Sequence, residues 1–409
     1  METIANQQPA FLWLSVVKAF WLRLWRSSRA RSHATSGARD CPTESADTLI
    51  PQAGSQVPTE FTRPKINRDE RMLWIHAGPH KAASSYVTER LRQNREYLAA
   101  QGVLMDGDDN RLANSIAEKN YGPVEEALAA LPSRLHRVLL SSSSLDDRIL
   151  SRTVLGKLQS LVERQGFKLG VSYFVRDQQS WLNSVYAHRV RRFRETPDFG
   201  EYCDYIMHDS DSWNIAYPSK FRVLSRFPAI TTLFLPLSKQ VAITDPFLAL
   251  VQALDLNTPE GEQGWLAGRS SKQNIQPGAR GIWMSALCRR LMVETGFDPE
   301  VLKRKGKVIR DLAIERGWDR EKFDGFDQPL QDRILGFYAS SNEAFAQEHW
   351  GVSWNSLFPM RPAAQRVYAG PQTEEERKEM RSLMVGVLRE LGFPWRLRRR
   401  FFALYDAAV

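Results

Sequence analysis

Cysteine is scarce. The 409-residue chain has three, Cys41, Cys203 and Cys288, odd in number and far apart, which argues against a disulfide framework and a clustered zinc site. No Asn-X-Ser/Thr sequon occurs either. Both absences fit a reducing, non-secretory compartment, so a cytoplasmic location is expected. No internal repeat is visible, which excludes a solenoid. No apolar run reaches the ~20 residues of a comfortable membrane-spanning helix. Acidic residues are missing altogether between Glu2 and Asp40, and over the whole chain 47 Asp and Glu face 56 Lys and Arg, a formal charge of +9. That excess favours anionic partners: nucleotides, sulfated or phosphorylated substrates, acidic lipid surfaces or nucleic acid.

What is present divides the chain in three. Residues 10–25 read "AFLWLSVVKAFWLRLW", with Lys18 and Arg23 inside the run and "RSSRARS" behind it. Residues 1–26 therefore suit an interfacial helix attracted to anionic lipid, which would hold the protein peripherally on the inner face of a membrane; a targeting peptide or a segment packed on the body has similar composition. Residues 27–66, rich in Ser, Thr, Ala, Gly and Pro, read as a flexible linker. With 43% hydrophobic residues in the chain, residues 67–409 can bury a large core.

In that body short apolar runs alternate with helical patterns. "MLWIHA" (72–77), "GVLM" (102–105), "HRVLLSSSS" (136–144), "LGVSYFV" (169–175) and "AITTLFLPL" (229–237) are buried-strand candidates. Helices are expected over 84–100, with Tyr86, Val87, Leu91 and Leu98 on the apolar face, over 145–165 and over 178–193. The alternation predicts an α/β fold: a central, mainly parallel sheet with helices on both faces, followed from about residue 245 by a largely helical part.

Ligands of such sheets bind at the carboxyl ends of strands. The first strand runs into "AGPHKAASS": a Gly78-Pro79 turn, His80, Lys81, then Ala82, Ala83, Ser84 and Ser85 opening a helix. Backbone N–H groups at a helix start, the helix dipole and a lysine together make an anion cradle. Ser84 and Ser85 add hydroxyl donors, and Ser84 also suits an N-cap. The nucleotide-triphosphatase pattern G-x-x-x-x-G-K-[ST] is absent, because Gly78 precedes Lys81 by three residues. No Asp closes the strand at 136–144, where a magnesium ligand would be expected; Asp146 and Asp147 fall at the start of the next helix. A metal-free anion site is the expectation.

A second stretch, "YFVRDQQSWLNSVYAHRV" (173–190), ends a strand in Arg176 and places Ser184 eight residues on, about two helical turns. Guanidinium and hydroxyl can converge there on one phosphate, although Arg176 can equally pair with Asp177.

Together the two stretches resemble those of the sulfotransferases that use 3′-phosphoadenosine-5′-phosphosulfate, in particular their bacterial branch. Members carry "HxGPHKTGTSYLQ" where this chain has "HAGPHKAASSYVT", and often "RRxxxWLxSLYxQ" where it has "VRDQQSWLNSVYAH". The similarity spans about residues 72–237 and continues more weakly over 271–291. It implies a P-loop-like fold, sulfonate transfer to a hydroxyl or amine, and no metal. It also implies that Lys81, Ser84 and Ser85 hold the 5′-phosphosulfate, with Gly78 to Ala83 as the cradle's backbone, and that Arg176 and Ser184 hold the 3′-phosphate. Lys81 is the expected catalytic residue, stabilising charge on the leaving nucleotide.

The chain departs from the pattern twice. Ala83 stands where relatives have Gly, and its Cβ is strained if that position needs positive φ. Ser143 stands where relatives often carry a Glu that suits a general base, which leaves His80, in the cradle, and His188, one turn beyond Ser184, as candidate bases; His76 is expected to be buried in the strand. Three readings stay open: a sulfotransferase acting on a carbohydrate, lipid or other metabolite; a catalytically weakened relative binding a nucleotide or sulfated ligand at a membrane surface; and a nucleotide or metabolite kinase. Nucleic acid is not an expected partner. The tail "FPWRLRRRFFALY" (393–405) mixes Arg with aromatics, as does an amphipathic helix docked on an acidic or lipid surface. The acceptor pocket is expected to be shaped by the helical segments after Phe193 and Asp245.

Overall fold

The computed structural model describes residues 70–107, 109–194, 198–208, 215–258, 264–266, 275–298, 301–302, 306–364 and 367–409. The chain divides into Met1–Ser55 and Gln56–Val409, and every described residue belongs to the second unit. The N-terminal segment, the linker and the head of the 271–291 stretch lie outside the described residues. No helix among the described residues is long and apolar enough to cross a membrane.

Five strands form one parallel sheet: β1 (Met72–His76), β2 (Val103–Met105), β3 (Arg137–Ser141), β4 (Lys168–Val175) and β5 (Thr231–Pro236), in the order β2-β3-β1-β4-β5. The main helices are α1 (Ser84–Gln93), α2 (Arg152–Arg164), α3 (Gln178–Val190), α4 (Pro246–Ala253), α5 (Gly278–Glu294), α6 (Val308–Glu315), α7 (Gln328–Trp350), α8 (Glu374–Glu390) and α9 (Trp395–Ala408).

Side chains alternate along a strand, and here both faces are apolar. Leu73 and Ile75 of β1 enter one core with Leu155 and Leu158 of α2 and Phe345 of α7. Met72 and Trp74 enter the other with Val87 and Leu91 of α1 and Phe247 and Leu250 of α4. Helices thus cover both faces, as the alternation predicted. Gly170 of β4 makes room for the Trp74 ring, which a Cβ there would meet at 2.4 Å.

The helical part has a core of its own. Met284 and Leu291 of α5, Ile309 of α6, Leu383 and Val387 of α8, and Phe401 and Tyr405 of α9 share it. The Arg-rich tail therefore turns its apolar face onto the protein itself, leaving Trp395 78% exposed.

Several element boundaries differ from expectation. The helix over 84–100 is cut at Asn94, whose buried amide exchanges two hydrogen bonds with the Leu266 backbone (2.7 and 3.1 Å), and a second piece, Arg95–Ala100, follows. Tyr86 is exposed rather than apolar-facing, because its hydroxyl donates to Asp245 (2.6 Å), the carboxylate that caps α4. The strand from 136 stops at Ser141, and Ser142 Oγ accepts the Ser144 N–H to open a tight turn. The helix over 145–165 is two pieces, Asp146–Ile149 and α2. Finally, α3 stops at Val190; Phe193 turns into the left-handed region (φ 53°) with its side chain fully buried.

Candidate functional site

The sheet order explains where a site forms. β1 lies between β3 and β4; the chain leaves β1 towards β2 on one side, and leaves β3 for β4 past the other, so a crevice opens at the carboxyl end of β1. The turn 77–83 crosses that end.

Most of its carbonyls are already used. Pro79 O accepts the Ala82 N–H (3.2 Å) and the Ser84 hydroxyl (3.1 Å), His80 O accepts the Trp181 indole N–H (2.9 Å), and Lys81 O accepts an Arg176 N–H (2.8 Å). The Ala82 N–H is spent as well, but the N–H groups of the first turn of α1 have no intrahelical acceptor. Gly78, Lys81 and Ala83 all take positive φ (109°, 67° and 61°), a backbone of the kind that forms concave anion nests. Ala83 is the N-cap of α1, without a side-chain capping bond. The expectation that Ser84 caps the helix is thus corrected: Ser84 is its first residue, and its buried hydroxyl closes the turn on Pro79.

Underneath, Asp146 supports the turn. Its carboxylate accepts the His80 backbone N–H and pairs with Lys220 (2.8 Å), while burial pushes its pKa up to about 6. Asp146 and Asp147 do begin a helix, in its first turn. His76 is wholly buried with Nδ1 2.8 Å from Ser141 Oγ, and burial lowers its pKa to about 4, so it stays neutral. Arg176 bonds the Lys81 carbonyl directly; Asp177 instead caps α3 through the Ser180 N–H (2.8 Å) and pairs with Arg361 (3.0 Å).

Three adjoining cavities share Lys81. One, of about 590 Å³, is lined by Leu237, Gln240, Thr244, Leu357 and Phe358 together with Lys81, Ala83, Arg176 and Arg361. The next, of about 680 Å³, brings Arg176 and Ser184 together with Lys81, His188 and Arg361. The third, also about 590 Å³, joins His80, Lys81, Ala83, Ser84, Ser85 and Ser143 to Ser184 and His188. Its wall adds Arg189, Arg191, Arg192, Arg194, Lys307 and Arg310, so seven lysines and arginines line it, with no carboxylate among the described lining residues.

The charges act on one another. Burial, then Arg191, Arg192 and Arg176, lower the Lys81 pKa to about 8. Burial and then Lys81 lower that of His80. Burial, Lys81 and the neighbouring arginines push His188 down to about 3. Arg191 reaches His188 Nδ1 (3.2 Å); a guanidinium can only donate, so the proton of neutral His188 sits on Nε2. Among the described residues no group of three or more His, Cys, Asp or Glu is arranged to hold a metal ion.

Lys81, His80, Ser84, Ser85, Arg176, Ser184 and His188 are thus gathered around one junction. The sequence reading missed the basic wall. Its signal was the run "HRVRRFR" (188–194), which resembles an ordinary solvated helix end, where cations are favoured by the dipole. Arg361, nearly two hundred residues after Arg176, had no signal.

Comparison with known proteins adds nothing to this geometry: no family model, no curated protein and no solved structure matches the chain.

Proposed function

We propose that this chain is a sulfotransferase that moves a sulfonate from 3′-phosphoadenosine-5′-phosphosulfate to a hydroxyl or amine of a carbohydrate, lipid or other metabolite. The observation that carries the reading is the meeting of three cavities at Lys81, on a turn whose Pro79, His80 and Lys81 carbonyls are tied back and which opens a helix whose first N–H groups have no intrahelical acceptor. A P-loop-like fold is supported by the strand order and by the turn's place at the carboxyl end of β1.

The residues present fit the donor. Arg176 and Ser184 line one cavity and match a 3′-phosphate; Leu237, Leu357 and Phe358 offer an apolar wall for a base; Lys81, the Ser85 hydroxyl and the backbone N–H of Ser84, whose own hydroxyl is spent on Pro79, suit the phosphosulfate. In transfer the acceptor oxygen or nitrogen bonds to sulfur, the bond from sulfur to the 5′-phosphate oxygen breaks, and the departing bisphosphate keeps the electron pair. Lys81 stabilises that charge. The acceptor proton passes to His80, which is neutral at neutral pH and lines the acceptor cleft. His188 is a poor base, with Nδ1 engaged by Arg191, and acts as an N–H donor to an anion.

One observation favours a catalytically weakened binding protein as the second reading: Ser143 lies in a cleft wall without any described carboxylate. One experiment tests the donor site common to both readings. Adenosine 3′,5′-bisphosphate without magnesium should raise the unfolding temperature, following RT ln(1 + [L]/Kd), and adenosine 5′-phosphate should do so much less. Equal shifts from the two remove the 3′-phosphate assignment; a shift that requires magnesium favours a kinase.

A further inference from the structure

Resting on the sulfonate-transfer reading, we infer that the acceptor taken by the polybasic cleft is an acidic polysaccharide, a carbohydrate that already carries sulfate or carboxylate groups.

The cleft holding His80 and Ser143 is not merely near some arginines; its basic wall is built. Phe193 is fully buried, and its carbonyl accepts the Arg289 Nε–H (2.8 Å), which fixes the segment after α3 against α5. Gly306 packs on the other side so closely that a Cβ would stand 2.8 Å from the Arg192 Cα. Only glycine permits that approach, and it brings Lys307 and Arg310 to the same wall as Arg192 and Arg194. Arg310 is balanced by Asp311 (Nε to Oδ1, 2.8 Å), while Arg192 and Arg194 extend into solvent. The donor uses Lys81, Ser84 and Ser85 at one end of this cleft and Arg176 and Ser184 beside it, so the six other cations of the wall face what the donor leaves: the acceptor.

Repeated cations along a cleft of this size match repeated anions, and a low-dielectric wall focuses their field. A neutral sugar or a lipid chain has no use for them, whereas a sulfated or carboxylated sugar supplies both the counter-charges and the hydroxyl to be modified. Single-stranded nucleic acid carries the charge too, but its binding grooves combine cations with aromatic platforms for the bases. Apart from the imidazoles of His80 and His188, the aromatic ring described in the lining is Tyr86, whose hydroxyl is held by Asp245, and no Trp or Phe is among them.

The test is a binding titration of the full chain with heparin, with dextran as the neutral polysaccharide and a single-stranded oligonucleotide as the rival polyanion, each at two salt concentrations and without donor. Heparin should bind with an affinity that falls with salt, dextran should not bind, and Arg192→Ala/Arg194→Ala should weaken heparin by about ten-fold, the scale of two partly exposed ion pairs. The same double variant should keep its affinity for adenosine 3′,5′-bisphosphate, while Arg176→Ala should lose that affinity and keep heparin. Equal binding of dextran and heparin overturns the inference, as does an oligonucleotide bound more tightly than heparin or heparin binding indifferent to the double variant. Because the titration needs no donor, a failed donor assignment and a failed acceptor assignment give separate results.

Discussion

At Lys81 the structure puts a cation where other cations already are. The folded protein binds that proton less tightly than the unfolded chain, so Lys81 adds stability as pH rises from about 8 towards 10.5 and withholds it below, by a small amount because the side chain is partly exposed. A bound phosphate reverses the balance and draws the proton back. Affinity for adenosine 3′,5′-bisphosphate should therefore be level between about pH 7 and about pH 8, where the phosphates are already ionised, and fall above it, with the fall abolished in Lys81→Arg; calorimetric titration at about pH 7 and about pH 9 reads this, and a level profile in the wild type removes Lys81 from the site. On the proposed sulfotransferase reading, Lys81→Ala should abolish sulfonate transfer yet leave bisphosphate binding measurable, since its largest effect would fall on charge that develops in the transition state. Transfer at near wild-type rate would exclude it from the mechanism. Two residues on, Ala83 holds φ 61°, ψ 3°, a region that costs a Cβ about 1–2 kcal/mol. Glycine costs about 0.5–1 kcal/mol in extra unfolded-state freedom, so Ala83→Gly should stabilise the protein by about 0.5–1 kcal/mol in denaturant unfolding. No gain would mean that the turn relaxes around the alanine.

At the scale of elements, α3 acts as the brace of the turn. Trp181 and Arg176, one within α3 and one just before it, hold the carbonyls of His80 and Lys81, and Gln178 ties α3 to α7 through a reciprocal pair with Asn342 (2.7 and 2.9 Å). Trp181→Phe keeps an aromatic ring in the core but leaves the His80 carbonyl without its partner, at a cost of about 1–3 kcal/mol. Both unfolding stability and bisphosphate affinity should fall; a loss of stability alone would confine Trp181 to packing. This bracing shows what a sequence can and cannot tell. The strands were legible because β1, β3 and β4 are apolar on both faces and read as continuous runs. That Lys81, Arg176 and Ser184 lie close together was legible because each sits at a fixed distance from a strand end. The interruption at Asn94 was not, since it depends on Leu266, far along the chain. Nor was the meeting of Gly306 with Arg192, where the information lies in a contact between distant segments and a glycine looks like any other turn residue.

For the whole molecule, the charge of +9 is unevenly placed: seven cations meet in one cleft of the body, while another basic run, with Arg26, Arg29 and Arg31, follows the aromatic segment 10–25. The two call for different partners. A concave cleft suits a chain-like anion, whereas aromatic residues interleaved with bases suit a lipid interface, where each Lys or Arg adds roughly 1 kcal/mol and salt weakens the effect. Full-length protein should therefore sediment with vesicles containing acidic lipid, partly resisting salt because buried aromatics contribute a remainder that salt does not screen. The core residues of the described body all lie at or beyond Met72, so deleting residues 1–55 removes none of them. The shortened protein should stay in solution, unfold cooperatively and still respond to adenosine 3′,5′-bisphosphate and to heparin. Two results would go against this. Sedimentation unchanged by the deletion would move the lipid contact to the basic surface of the body, and loss of cooperative unfolding would make the N-terminal segment a part of the folded core.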